Sequence, residues 1–375
     1  METTFQKIRG SLSGISIDYR GIWYNLDMKT WEKIKNNPGV KEKYLIREKV
    51  TDTIRSFFKG QGFHEVETPV LVPVASTEPN LEVFETQLRT ATGSRKQGFL
   101  ILSPEYSIKK LLAAGMGNMF EITKCFRNDE EVSRLHNPEF SMLEWYRTGA
   151  DYKKIMEDFE KLFVEIIKNT KGTGGTHMTY SGEDYDLTLP WPRISVTEAF
   201  EKYCNADAET LLDEKKLKAL AVKKGYQVKS SDTWEQIFYQ LFFNEIEPAL
   251  KEIHKPVFVY DYPLAQAALA RKSRMDPRFA ERFEVFLAGI ELGNCFSELT
   301  DAAEQGDRLK KEVADRKSLG KTDYPVDEDF LQALEEGLPE SAGIAVGVDR
   351  LVMLAADVPS ISETLLFPAG EMFGL

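Results

Sequence analysis

From Phe120 to Tyr146 the chain reads FEITKCFRNDEEVSRLHNPEFSMLEWY, two apolar-rich ends around a charged middle. In the first end, alternation puts Phe120, Ile122 and Phe126 on one face of a strand, with Glu121, Thr123 and Arg127 on the other. In the second end Phe140, Met142, Glu144 and Tyr146 share a face. The pattern predicts a hairpin whose loop, residues 128–139, is longer than a tight turn needs. That loop gathers Asp129, Arg134 and His136 close to Arg127.

Elsewhere the periods alternate between helix and strand. Ile46, Val50, Ile54 and Phe57 recur at helical spacing and Gly60 and Gly62 supply a stop, so a long helix is expected there, followed by a strand over HEVETPVL. Residues 99–102 read as a buried strand. SPEYSIKKLLAAG follows with Ser103 as N-cap, Pro104 at the first helical position, Glu105 in the first turn, and Ile108, Leu111 and Leu112 as the packed face. Residues 152–168 form an amphipathic helix, and the glycine-rich stretch after it reads as a loop and hairpin. Its TGTGG is not a phosphate loop, since no G-K-[ST] follows and no helix opens there. Ser195 with Glu198, and Asp232 with Glu235, have capping-box spacing, with another helix near residues 209–224. PVFVYDYP is strand-like. In RFEVFLAGIELGNCFSELTD, alternation aligns Asn294, Phe296 and Glu298, with Glu284 in phase. Glu291 joins them only through a bulge near Gly289 or Gly293. Residues 307–320 and 327–337 read as surface helices. AGIAVGVDRLVMLAA is a glycine-spaced strand running into a helix, with Asp349 as a cap and Arg350 in its first turn.

Composition narrows the class. The 375 residues are 42% hydrophobic and 29% charged, enough for a large core. No run of about 18 apolar residues suggests a membrane span, and no apolar h-region follows METTFQKIRG. The three cysteines, Cys125, Cys204 and Cys295, form no CxxC pair, which fits the cytoplasm better than a disulfide framework or a zinc site. A net charge of −12 argues against a large RNA-binding surface, while leaving room for a local basic patch.

Three positions carry chemistry beyond this frame. By pattern alone the central hairpin is simply half-buried with a solvated loop. A carboxylate on the Phe140–Met142 face changes that, because a buried Glu144 needs a cationic partner from the protein or from a ligand. Glu284, Glu291 and Glu298 beside Asn294 and Phe296 read either as exposed edge-strand carboxylates or as a set suited to Mg²⁺–ATP, since Mg²⁺ takes one or two carboxylates plus phosphate oxygens. Arg350 beside free helix-start amides reads either as an ordinary surface arginine or as an anion site, and the glycines before it favour the anion site.

FRNDE followed by HNPEFSMLEWY resembles motif 2 of a class II aminoacyl-tRNA synthetase of the lysine subgroup. FFKGQGFHEVETPVL resembles motif 1, ending in Pro69, and GIAVGVDRLVML resembles motif 3 with Arg350. The resemblance covers roughly residues 44–368. It implies an α/β (α+β) catalytic fold, an antiparallel sheet flanked by helices, over residues 44–375, with a helical insertion at about 193–255. Residues 1–43 would be an N-terminal arm, too short for an anticodon-binding OB domain. A homodimer is implied through motif 1.

The implied reaction is ATP-dependent activation of an amino acid to an aminoacyl-adenylate. By resemblance, Arg127 bridges carboxylate and α-phosphate as the catalytic residue. His136 and Arg350 hold the outer phosphates, Asp129 and Asn137 orient the nucleotide, and Phe140 stacks on adenine. Glu284 and Glu291 hold Mg²⁺. Glu105 takes the α-amino group, with Ser103 beside it. Glu144 and Glu298 pair with a side-chain ammonium, with Tyr146, Asn294 and Phe296 nearby. A lysine activator without an anticodon domain is similar to the stand-alone ligases that attach lysine, preferentially (R)-β-lysine, to a lysine of elongation factor P. SPEY, Ala345 and HNPEFSMLEWYR match those ligases. The segment THMTYSGEDYDLTLPWPRIS and the ending LLFP look more like the tRNA synthetases, and Asp129 and Ser297 stand where the family usually has Glu and His. A minimal tRNA synthetase and a catalytically silent binding module remain as alternatives.

Overall fold

The computed structural model describes residues 29–375, together with the backbone of two short strands, Ile15–Ile17 and Trp23–Asn25, which pair antiparallel. The main sheet has eight strands: His64–Glu65 (β1), Met119–Phe126 (β2), Glu139–Thr148 (β3), Arg193–Ser195 (β4), Val257–Pro263 (β5), Phe279–Leu287 (β6), Ile290–Ser297 (β7) and Ser341–Gly347 (β8). Their spatial order is β4-β5-β6-β7-β8-β3-β2-β1. From β5 through to β2 every neighbouring pair is antiparallel, while the short edge strands β4 and β1 pair parallel. The sheet is therefore mixed at its edges, where the chain arrives by crossovers rather than hairpins.

The principal helices are Pro38–Lys59 (α1), Glu105–Ala113 (α2), Tyr152–Lys171 (α3), Ala302–Ser318 (α4), Glu328–Gly337 (α5) and Val348–Ala356 (α6). Strand alternation sorts the sheet into two faces. Leu143, Trp145, Phe283, Val285, Cys295, Ile344 and Val346 point into the main core, against Val50, Ile54 and Phe58 of α1, Phe159 and Phe163 of α3 and Leu351 and Val352 of α6. The residues between them, among them Met142, Glu144, Tyr146, Asn294, Phe296, Gly343 and Ala345, face the other way and line a cavity. On β3, β7 and β8 one face is core and the other lines the cavity.

Several sequence expectations shift. The helix of motif 1 begins at Pro38, capped by Asn37, whose side chain accepts from the Gly39 N–H. Phe58 rather than Phe57 completes its buried stripe. The strand expected over HEVETPVL breaks in two: only His64–Glu65 joins the main sheet, and Leu71–Val72 belongs to a small sheet with Glu85–Arg89 and Arg95–Leu100. Pro69 lies between them and has no N–H to offer a ladder. The Ser195–Glu198 capping box forms. The second box falls one residue later, on Thr233 and Gln236, because Asp232 instead accepts from the Lys229 N–H. The helix expected near residues 209–224 is two, Ala208–Leu212 and Glu214–Lys223, with Asp213 capping the second. α4 starts at Ala302 with Asp301 as its cap. The helices between β4 and β5 bury Phe238, Leu241 and Phe242 in a core of their own, with Trp234 packed against it. Among the described residues no helix is long and apolar enough to cross a membrane.

The stretch RFEVFLAGIELGNCFSELTD forms two strands. They turn through Ala288 and Gly289, both at positive φ (56° and 70°), as a tight two-residue hairpin requires. Val285 pairs with Gly293 and Phe286 with Glu291, so Leu292 is the extra residue of a bulge. This shift brings Glu291 to the cavity face, where simple alternation would not place it.

Candidate active site

The cavity has a volume of about 560 Å³. Its floor is the polar face of β3, β8 and β7. Ala345 pairs with Glu144 on one side and Asn294 on the other, and Gly343 lies between Tyr146 and Phe296. A Cβ on Gly343 would sit 2.2 Å from a Tyr146 ring carbon, so only glycine lets that ring lie across β8.

Glu144 is at the centre of the floor and 1% exposed. Its partners are two neutral hydroxyls: Ser103 donates to Oε1 at 2.5 Å and Tyr146 donates to Oε2 at 3.0 Å. Burial, then the neighbouring Glu105, pushes its carboxyl well above the usual range. Ser103 does two jobs at once, since its Oγ also accepts from the Glu105 N–H at the start of α2. The helix begins at Glu105 with Pro104 in the cap position, one residue later than the sequence suggests.

Lys109, one helical turn beyond Glu105, is buried at 1% exposure. Its ammonium lies 2.6 Å from Glu105 and 2.5 Å from Glu298. Burial disfavours that charge, but the two carboxylates overcome it and hold the ammonium above its ordinary range. Glu298 is therefore taken by a cation of this chain and does not line the cavity, contrary to its expected direct pairing with a ligand. Burial still carries the Glu298 carboxyl up to about 7, with Lys109 opposing.

At the other end lie Arg127, His136, Phe140, Glu291 and Arg350. The Arg127 guanidinium lies 5.1 Å from the Phe140 ring centre, and its buried Nε has no hydrogen-bond partner among the described residues. Arg350 donates to the Glu291 carbonyl at 2.6 Å and to His136 Nε2 at 3.0 Å. His136 Nδ1 then faces Ser133 Oγ at 3.0 Å. Because arginine only donates, His136 is the neutral Nδ1–H tautomer. Burial, then the Arg350 charge, lowers its affinity for a proton.

Three expected residues are placed differently. Asp129 has left-handed backbone (φ 55°), and its side chain is 78% exposed beside Lys321, outside the cavity. The next residue, Glu130, lines the cavity instead. Asn137 lines it too, but its amide is engaged at both ends, donating to the Glu139 carbonyl and accepting from the Ala369 N–H. Glu284 sits behind the wall, held by Arg282 at 2.6 Å and Tyr262 at 2.7 Å. Burial raises its carboxyl and nearby Glu291 adds to the effect, while Arg282 opposes them. Among the described residues no cluster of three His, Cys, Asp or Glu stands ready to hold a metal by itself. The expected cap of α6 also moves. Asp349 lies inside the first turn, bonded to Arg47 of α1 and accepting from the Ser141 N–H of β3.

The sequence model for tRNA synthetases class II (D, K and N) matches residues 28–371. The chain belongs to the class II tRNA synthetases. Within that family, a lysine–tRNA ligase of Moorella thermoacetica is 37% identical over 340 residues, covering 88% of this chain and 66% of that one. An elongation factor P–(R)-β-lysine ligase of Proteus mirabilis is 39% identical over 329 residues, covering 86% of this chain and 94% of that one. A second such ligase, from Hamiltonella defensa, is 38% identical with the same coverage. The chain thus spans about two thirds of the tRNA ligase and nearly all of either elongation factor P ligase.

A class II synthetase site here also contains residues that the sequence did not single out: Lys109, Arg282, Glu130 and Gly343. Lys109 was findable, four residues after Glu105 on the same helical face. Arg282, two before Glu284, shares that residue's strand face. The need for Gly343 exists only across the β8–β3 pairing, which no local pattern reports.

Proposed function

We propose that the protein activates lysine or (R)-β-lysine with ATP and transfers the aminoacyl group to a lysine of elongation factor P. The observation that carries the activation step is Glu144, a buried carboxylate on a cavity floor with only neutral hydroxyl partners. A substrate ammonium supplies the charge it lacks. In the first step a carboxylate oxygen of the amino acid attacks the α-phosphorus of ATP and pyrophosphate leaves. Arg127 lies where it can hold both the carboxylate and the α-phosphate, and its unpartnered Nε fits a missing anion. His136 and Arg350 face the outer phosphates, and Phe140 provides a ring for adenine, with Glu130 in the place once expected for Asp129. Asn294, Phe296 and Ala345 shape the pocket around the amino acid. Glu105 and Glu298 act with Lys109 between them. In the second step the acceptor amine attacks the acyl carbon and AMP leaves.

Mg²⁺ belongs to this reading as an ion arriving with ATP. Glu291 is 42% exposed at the cavity, and it is close enough to Glu284 to raise that carboxyl. Glu291 is the carboxylate of the two that would meet such an ion at the cavity, since Glu284 is held behind it by Arg282 and Tyr262; the ion would neutralise phosphate charge. A homodimer is also proposed; exposed Leu45, Val70 and Leu71 on the motif 1 segment support it. Three buried free cysteines fit the reducing cytoplasm.

Residues 127–139, which wall the nucleotide end, carry two arginines against four carboxylates, Asp129, Glu130, Glu131 and Glu139. An acidic rim repels RNA phosphates and suits a lysine-bearing protein. The alternative of a minimal tRNA synthetase rests on the lysine–tRNA ligase relatives. A silent module is disfavoured because Arg127, Glu291 and Arg350 all reach the cavity.

ATP–pyrophosphate exchange with lysine and (R)-β-lysine tests activation. Transfer of the labelled amino acid to elongation factor P or to bulk tRNA tests the acceptor. Label on the protein is expected; label on tRNA alone would make this a minimal synthetase, and no exchange with any amino acid would end the activation reading.

A further inference from the structure

Buried polar atoms in folded proteins almost always find partners, so those left without one need a reason. Among the described residues, four that carry such atoms line the cavity: Arg127, Glu105, Gln266 and Ser76. The Glu105 oxygen is satisfied by its ion pair with Lys109, which leaves Gln266 and Ser76 beside Arg127. Gln266 is 5% exposed, and among the described residues neither Oε1 nor Nε2 of its carboxamide has a hydrogen-bond partner. Ser76 is 9% exposed and its Oγ is likewise unpaired. Their backbones, by contrast, are pinned. The Gln266 carbonyl accepts from Arg282 at 2.6 Å, and the Ser76 carbonyl accepts from Tyr324 at 2.7 Å. Arg282 in turn donates to Asn294 Oδ1 at 3.0 Å, which ties Gln266 to the floor where the amino acid is placed. The fold fixes these residues and leaves their polar ends unsatisfied.

We infer that Gln266 is a substrate-binding residue that reads the amine nearest the carboxylate of the amino acid. A carboxamide sets an acceptor and donors side by side. An amino acid whose amine lies on the α or β carbon presents the complement, an ammonium beside a carboxylate oxygen. The terminal amine is already provided for by Glu144, so a second polar subsite separates diamino acids from simple ω-amino acids. The inference rests on the proposed activation of a lysine-like substrate and assigns it one more contact.

The position also has an unusual energetic signature. A structural glutamine loses hydrogen bonds when replaced, whereas this one has no side-chain partners to lose. Gln266→Met keeps the volume and removes a buried unpaired amide, so the unliganded variant should melt at or above the wild-type temperature. Its affinity for lysine, measured by calorimetry, should fall roughly 10- to 100-fold, the usual effect of removing a hydrogen bond to a charged group. Affinity for 6-aminohexanoate, which keeps the terminal amine and carboxylate but lacks the α-amine, should change far less. Gln266→Glu retains an acceptor and should keep most of the preference for lysine. Unchanged lysine binding by Gln266→Met overturns the assignment, as does an equal loss for both ligands or a lowered melting temperature without loss of lysine preference. Wild-type protein that binds no lysine is a different result, since it removes the proposed activation itself and this contact with it.

Discussion

At the scale of single residues, the floor of the site is organised by how its carboxylates are partnered. Glu105 and Glu298 share one buried ammonium, Lys109. Glu144 is left with hydroxyls, and burial pushes its carboxyl up. A carboxylate whose folded-state affinity for protons is raised above the unfolded value destabilises the fold once pH exceeds the unfolded value, about 4.3. Glu144→Gln is therefore expected to equal or exceed the wild type in stability at neutral and alkaline pH, and to lose that advantage in acid; melting curves across pH check this. Ligand binding has the opposite sense. An ammonium needs the ionised carboxylate, so amino-acid affinity should fall as pH drops and protons reclaim Glu144. Glu144→Gln should raise the amino-acid KM in pyrophosphate exchange by roughly 10- to 100-fold and flatten that pH dependence, with the ATP KM little changed. Much of this was legible in the sequence, because a strand's period of two puts Phe140, Met142, Glu144 and Tyr146 on one face whatever surrounds them. Glu298 misled for the same reason: its face was right, but the ion pair with Lys109 depends on where α2 packs.

At the scale of elements, pairing decides what periodicity leaves open. The bulge at Leu292 rotates Glu291 into the cavity, and the sequence signalled the need for it through the glycines on either side. The capping box of Thr233 was missed by one residue, since Asp232 and Thr233 both have acceptable partners three positions on and local spacing does not choose between them. The β8–β3 register carries the sharpest constraint. Gly343 faces Tyr146, and an added methyl would stand 2.2 Å from its ring. The backbone of a central strand, paired on both sides, has little freedom to retreat, so the ring must move. Gly343→Ala is expected to cost about 1–3 kcal/mol, the usual price of overpacking, read by urea unfolding. It should also raise the amino-acid KM, because Tyr146 donates to Glu144. Unchanged kinetics would show that the ring relocates without disturbing that hydrogen bond.

Over the whole molecule, segments far apart in sequence converge on the loop that carries His136. Asn137 accepts from the Ala369 N–H, and Gly370 packs near Val132. Glu371 in turn accepts from both the N–H and the hydroxyl of Thr30, which is 1% exposed. A chain of contacts thus runs from the residue 30 region through the short helix Ala369–Phe373 to the end of the cavity proposed for the nucleotide. None of it was legible in the sequence, since each link joins residues separated by more than 200 positions and the motifs end before Ala369. The family resemblance assigned Asn137 to orienting the nucleotide, whereas here its amide donates to the Glu139 carbonyl and accepts from the Ala369 N–H. Asn137→Ala breaks that hold while leaving His136 and Arg127 in the chain. The expected cost is about 1–2 kcal/mol for the two lost hydrogen bonds. The ATP KM should rise several-fold, while the amino-acid KM stays near its wild-type value, since Glu144 and Tyr146 stand on β3 and not on the loop. Glu371→Ala, which touches no residue of the cavity, should reproduce the direction of the ATP effect more weakly. A variant of Asn137 with altered amino-acid binding and normal ATP binding would place that side chain in direct contact with the substrate, and the clamp would lose its argument.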